Sequence, residues 1–540
     1  MMETFDHIVI GGGSAGCVVA NRLVTQHGSR VLVVEAGGSH HRRPFVDIPA
    51  GAFKMVFGGG DYLERYVSAQ QPSLDDRTVD LAHGNLVGGG SSVNAMTYMR
   101  GLARDYDRWD AELGGAGWGW KDLLPYFVRQ EGNGRLTGAS HGVDGPFKVQ
   151  DHRYICKLAS LFIDATASLG INRRDDFNAG ETRGVGLTQI SAFNGRRCSA
   201  ANAFLDPLRA DRRLTVQTGA RASRILFDGN RATGVRYAQG GTVREARCDG
   251  EIFLTTGTFN SPKLLMLSGI GPADHLASHG ISVISNVPGV GQNMQDHNMV
   301  PVMALTAPGY GYYGEDQGLR LAWNMLRYAL GRRGPLSSNG SEALAFVNPD
   351  NPSDDPTLQI YCLGFLPPGV NDKPGMMLCP TLIRPKSVGW LRLASADPKH
   401  KPIISPNYFS APDDLASMVR GVRFCRDILR ADPLAKIITG EIAPGSAAKS
   451  GEELAAFCRQ QTFTNYHPVG TCRLGGDHDP MSVVDARLRV RGVAGLRVCD
   501  ASVMPRIPGA NTNAPTMAIA DKCVDLWEAD HEGSTAPDRL

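Results

Sequence analysis

No stretch of the chain approaches the roughly 18 consecutive apolar residues that a membrane span requires. The opening residues also lack the basic-then-apolar order of a secretory leader. Charge of one sign is missing: 56 Lys and Arg against 54 Asp and Glu leave a net +2. Without a basic stripe, no nucleic-acid partner is expected. The eleven cysteines include no C-x-x-C and no cysteine–histidine metal spacing. An odd, scattered set reads as reduced core thiols in a reducing, cytoplasmic setting, with no metal site.

What is present is an ordinary globular composition, 42% apolar and 20% charged. The 540 residues give room for two to four domains of about 150 residues. A core of that size needs no disulfide or metal. Glycine stands out at 64 residues, roughly 12% against a usual 7% or so.

The start of the chain carries the clearest local pattern. FDHIVI (5–10) reads as one core strand, GGGSAG as a glycine turn, CVVANRLVTQHG as an amphipathic helix and VLVVEAGG as a second strand. This is a βαβ unit with parallel strands. In Gly11-x-Gly13-x-x-Gly16 the glycines permit a tight turn, close approach to a pyrophosphate and tight helix packing. The helix N-terminus turns free N–H groups and a positive dipole end toward the phosphates. Glu35, nineteen residues past Gly16, is placed to accept from an adenosine ribose diol. A dinucleotide is expected, and this unit alone leaves NAD and FAD undivided.

Further along, 215–237 and 251–256 read as strands, the former folded at Asp228-Gly229-Asn230, and 412–431 and 451–460 as surface helices. ADPKHKPIISPNYF (396–409) reads as a surface connection. Gly309-Tyr310-Gly311-Tyr312-Tyr313-Gly314 is either a lid or an ordinary surface loop. As a lid, its tyrosines and Trp323 would favour a ring or a cation. No linker is visible.

A second glycine–serine loop, Gly84 to Asn94, precedes AMTYMRG and Asp105-Tyr106-Asp107. Residues 257–271 read GTFNSPKLLMLSGIG, and 289–297 read GVGQNMQDH. Tyr466-His467-Pro468-Val469-Gly470, Asp500-Ala501-Ser502 and Gly509-Ala510-Asn511-Thr512-Asn513-Ala514-Pro515 follow. From residue 5 to about 527 the chain resembles the glucose–methanol–choline (GMC) oxidoreductases, choline dehydrogenase-like flavoproteins that oxidise alcohols with FAD. The resemblance is thinnest over 300–380.

The resemblance implies an α/β fold with an α+β substrate portion. A Rossmann-like FAD-binding domain is assembled from 1–155, 210–300 and 460–540. A substrate domain with an antiparallel sheet, 156–209 and 301–459, is interleaved with it. It further implies cofactor contacts from Gly11, Gly13, Ser14, Ala15 and Gly16, then Glu35 and Ala36. The second loop adds Val87, Gly90, Ser91, Asn94, Ala95, Met96 and Thr97. Ala222 falls where a backbone meets adenine, and Asp500 and Ala501 near the ribityl and pyrophosphate. Tyr466 and Thr512 complete the set.

In the implied reaction, hydride passes from an alcohol carbon to flavin N5 while His467 takes the hydroxyl proton, a task suited to an imidazole. Asn511 would hold the developing alkoxide through its amide. A helix beginning near Asn513 and Pro515, with asparagine as cap, would point its positive end at the flavin N1–C2 edge. Relatives that attach FAD covalently use a histidine where this chain has Val93, so non-covalent FAD is expected. The electron acceptor stays open between dioxygen, quinone and others, with a dehydrogenase favoured. A lyase that keeps FAD without net redox is the alternative.

Overall fold

Short, fully buried runs of β-branched and aliphatic residues build the central sheet. Strands His7–Ile10 (HIVI), Val31–Val34 (VLVV), Ile252–Leu254 (IFL) and Leu496–Val498 (LRV) are buried along their length. In the computed structural model, which describes residues 4–370 and 372–532, they join Leu214–Gln217 in a five-stranded parallel sheet. Its spatial order is the third strand of the set, the second, the first, the fourth and the fifth. This is a doubly wound order, whose ligand crevice opens where the strand sequence reverses. That point lies between Ile10 and Leu254.

The reading of 5–10 as one strand needs correction. The chain breaks at Asp6, whose carboxylate accepts from the Arg30 N–H at 2.6 Å. Thr4–Phe5 instead pairs parallel to Arg247–Cys248, on the edge of a separate four-stranded sheet. That sheet contains the hairpin Ala220–Asp228 and Arg231–Gln239.

Helix Ser14–His27 follows the glycine turn and ends at Gly28 in the left-handed region. It packs beside the last helix, Asn513–Glu532. Arg22 on the first helix pairs with Asp521 and Asp525 on the last. Helix Gly257–Leu267 leaves the sheet next to strand Ile252–Leu254.

A second, eight-stranded sheet is built mainly from 298–306, 343–382 and 438–443, with Gly184–Leu187 on one edge. Every pairing in it is antiparallel. Strands Leu358–Leu363 and Gly375–Leu382 lie side by side, with Tyr361 opposite Cys379 and Leu363 opposite Met377. Directly opposed residues share a face, so these four face the same way. The other face is covered by helix Pro412–Arg430. A Cβ on its Gly421 would stand 2.9 Å from Leu358 and Pro380, so the helix lies close on the sheet. The surface helix expected here therefore has a buried flank.

The stretch 396–409 is only partly a surface connection. Ile403–Ser405 is a strand, and Tyr408 and Phe409 are buried.

Candidate active site

A cavity of about 450 Å³ starts at the strand-order switch and runs to the antiparallel sheet. At its first end lie Gly11, Gly13, Ser14 and Ala15, with Glu35 and Ala36 from the next strand. Glu35 accepts from the N–H of Gly12 at 2.7 Å and of Gly37 at 2.6 Å. Burial pushes its carboxyl pKa up while these two bonds pull it down. Each oxygen keeps a second lone pair for a ribose hydroxyl. Ala222 lines the same end from strand Ala220–Asp228.

The second glycine loop supplies the middle: Gly90, Val93, Asn94, Ala95, Met96 and Thr97 line the cavity. A Cβ at Gly90 would meet nothing within 4 Å, so bare backbone faces open space there. Asp500, Ala501 and Thr512 reach this region from the C-terminal part of the chain. Asp500 accepts from Gly257 N at 2.8 Å, Ser261 Oγ at 2.6 Å and Ser502 N at 2.8 Å. Its carboxylate thus takes the free N–H end of helix Gly257–Leu267. Helices starting at Ser14 and Asn513 keep their first residues on the cavity wall. Bare glycine backbone, two open helix N-termini and a buried acidic residue together fit a dinucleotide.

Three expected contacts stand behind the wall. A Cβ on Gly16 would sit 1.9 Å from the Gly11 carbonyl, so this glycine serves close packing of helix on strand. Val87 is buried and its carbonyl accepts from Ser92 Oγ at 2.8 Å. Ser91 donates to Gly88 O at 2.6 Å and accepts from Ala200 N at 2.9 Å. All three hold the loop that does line the cavity. Asn513, read as a cap, is the first helical residue, and its Oδ1 accepts from Ser14 Oγ at 2.7 Å. The 309–314 loop does not line the cavity, nor does Trp323. Tyr312 is bonded to buried Glu342 instead.

At the far end His467 and Asn511 meet. Asn511 Nδ2 donates to His467 Nε2 at 3.2 Å and to Tyr361 Oη at 3.0 Å. Gln359 Nε2 donates to Asn511 Oδ1 at 3.3 Å, which orients the amide. Nε2 of His467 is therefore the lone-pair nitrogen. That tautomer leaves the proton to Nδ1, which lies 3.0 Å from His297 Nδ1 and 3.3 Å from Asn465 Nδ2. The His467 backbone N–H donates to Asp296 Oδ1 at 2.9 Å. Burial lowers the His467 pKa to about 3 and holds that of His297 well below the usual range. Burial also raises Asp296 to about 6 and the Tyr361 phenol to about 12. The imidazole is thus a neutral acceptor. Tyr466 beside it has φ 59°, and Met96 on the facing loop has φ 62°. Such strain in non-glycine residues clusters at functional sites.

Gln359 and Tyr361 come from the stretch where the sequence resemblance is thinnest. Asp296 and His297 close the GVGQNMQDH motif, but no role for them follows from it.

The family model described as GMC oxidoreductase matches residues 5–299 and, in a second part, residues 385–520. The chain belongs to the GMC oxidoreductase family. It is 37% identical over 536 residues to an alcohol dehydrogenase [acceptor] of Pseudomonas putida, covering 97% of this chain and 95% of that one. It is 37% identical over 530 residues to an oxygen-dependent choline dehydrogenase of Rhizobium etli, covering 96% and 95%. The crystal structure of pyridoxine 4-oxidase from Mesorbium loti superimposes with TM-score 0.87 at 31% identity, covering 97% and 99%. As a GMC enzyme, the protein is an FAD-dependent oxidoreductase acting on CH–OH groups of a small-molecule alcohol, with a separate electron acceptor. These relatives are dehydrogenases and an oxidase, which supports oxidation over the lyase alternative. No helix among the described residues is long and apolar enough to cross a membrane.

Proposed function

We propose that His467 is the base and Asn511 the alkoxide-holding group in this alcohol oxidation. The observation that carries the reading is His467 Nε2 paired with the Asn511 amide at 3.2 Å on the cavity wall. FAD, when bound, supplies the acceptor for the hydride of the carbinol carbon. An alcohol oxygen placed between the two side chains replaces their mutual bond with one bond to each. Its proton then passes to Nε2 as the C–H bond breaks, the carbonyl forms, and the amide steadies the negative oxygen. His297 Nδ1 accepts a hydrogen bond from the Nδ1–H of His467, which keeps the lone pair on the substrate side.

The FAD is held without a covalent bond, since Val93 offers no nucleophile on the cavity wall. Its contacts come from the lining residues named above, while Gly16, Val87 and Ser91 support them. The FAD-binding domain comprises 1–155, 210–300 and 460–540, and the substrate domain 156–209 and 301–459. Electrons then leave to a separate acceptor, as the names of the Pseudomonas and Rhizobium relatives imply for those enzymes. All eleven cysteines are buried and unpaired, which supports a reducing, cytoplasmic setting.

The test is His467→Ala. The variant is expected to keep its FAD and to lose anaerobic flavin reduction by an alcohol at least about a hundredfold. Reduction at near the original rate removes His467 from the mechanism.

A further inference from the structure

We infer that this site takes a neutral alcohol with an apolar tail, aliphatic or aryl, and discriminates against quaternary ammonium alcohols. The inference rests on reading the His467–Asn511 end as the place of oxidation.

The charged side chains among the described lining residues are Glu35, Glu64, Arg221, Lys263 and Asp500. Each is already partnered. Glu35 is held by backbone N–H groups, and Glu64 pairs with Arg221 at 3.0 Å and His83 at 3.3 Å. Lys263 donates to the Pro398 carbonyl at 2.7 Å, and Asp500 covers its helix end. None is carried by the antiparallel sheet.

The wall beyond His467 is different in kind. Met299, Leu363, Met377, Cys379 and Phe463 line it, beside the neutral Tyr361. The lining continues through Phe365 to Phe53, whose rings meet edge to face at 4.6 Å. Phe57, half exposed, carries it to the surface. A trimethylammonium group entering here is stripped of water with no carboxylate to compensate. Cation–π attraction to the rings offsets part of that loss, and no carboxylate on this wall offsets the rest. The same burial that keeps His467 unprotonated acts on any cation placed beside it. An apolar tail gains from the same wall.

The deciding pair is choline and 3,3-dimethylbutan-1-ol, which has the same shape with carbon in place of the charged nitrogen. Anaerobic stopped-flow reduction of the FAD-loaded enzyme is measured with both, and with 1-propanol, 1-octanol and benzyl alcohol. The neutral isostere is expected to exceed choline at least a hundredfold in limiting rate over apparent Kd, and 1-octanol to exceed 1-propanol. Choline equal to or better than its isostere overturns the inference while leaving alcohol oxidation intact. No reduction by any of the five, with dithionite still bleaching the flavin, overturns the oxidation reading and the inference with it. Leu363→Glu, which puts a carboxylate on the wall, is expected to raise choline relative to the isostere at least tenfold. A folded, FAD-loaded variant with an unchanged ratio overturns the assignment of that wall as the discriminator.

Discussion

The nitrogen of Asn511 donates to His467 and Tyr361 while its oxygen accepts from Gln359 and Tyr361, a set that only a carboxamide can make. Asn511→Asp keeps the shape and loses the donor. It also sets a carboxylate beside His467 Nε2, stabilising the imidazolium and raising its pKa. The base form then requires a higher pH, so the acid limb of flavin reduction is expected to move alkaline. Asn511→Ala loses the donor, of a kind worth roughly 2.7–4 kcal/mol at oxyanion sites, together with the acceptor that Gln359 uses. Stopped-flow reduction should therefore rank asparagine above alanine and alanine above aspartate. Equal rates for aspartate and alanine with an unmoved pH profile remove the amide from the reaction. His297→Leu tests the partner behind the base. It leaves the His467 Nδ1 proton unpaired in a buried site, so loss of tautomer control is expected to cost about tenfold or more in reduction rate. The pH profile should change shape as well. His467 and Asn511 were legible because they stand in short motifs. Gln359 and Tyr361, which orient Asn511, were not. They sit on a strand about 150 residues away in sequence, and no local spacing announces a partner at that distance.

At the scale of elements, the first βαβ unit was readable because its period, turn and helix lie within some thirty residues. The break at Asp6 was not, because it depends on Arg30 and on an edge 240 residues later. The 309–314 loop was open to two readings, lid or surface loop, for a similar reason: Tyr312 is bonded to a buried glutamate on another segment. The packing of helix Ser14–His27 on the sheet gives a sharp prediction. Gly16→Ala places a Cβ 1.9 Å from the Gly11 carbonyl, so helix or turn must move. FAD content after purification is expected to fall sharply. Gly90→Ala meets no protein atom within 4 Å, so its fold should be untouched and any loss should appear as weaker FAD binding. Thermal unfolding of the two apo-proteins, followed by FAD titration, separates these cases.

For the whole molecule, the cofactor cavity is lined by both sheets and by the first and last helices. FAD bound there, and absent from the unfolded chain, must stabilise the entire assembly. At free FAD a hundredfold above its Kd the gain is about 2.7 kcal/mol. With unfolding entropy near 2.1 cal/mol/K per residue, the Tm of the apo-protein should rise by about 2 °C. Acid precipitation should release intact FAD into the supernatant; flavin that stays with the pellet would show a covalent link despite Val93.

The parallel sheet takes its strands from residues 7, 31, 214, 252 and 496 onward, and the base and amide come later than residue 460. During synthesis the glycine turn at Gly11 therefore leaves the ribosome long before Asn511 exists. At roughly 5–20 residues per second, about 25–100 s separate the two. For that interval the nascent chain holds a half-built sheet with an exposed apolar edge, while the residues that close the cavity are still untranslated. A cavity with all of its walls exists only once the last helix, Asn513–Glu532, has been made.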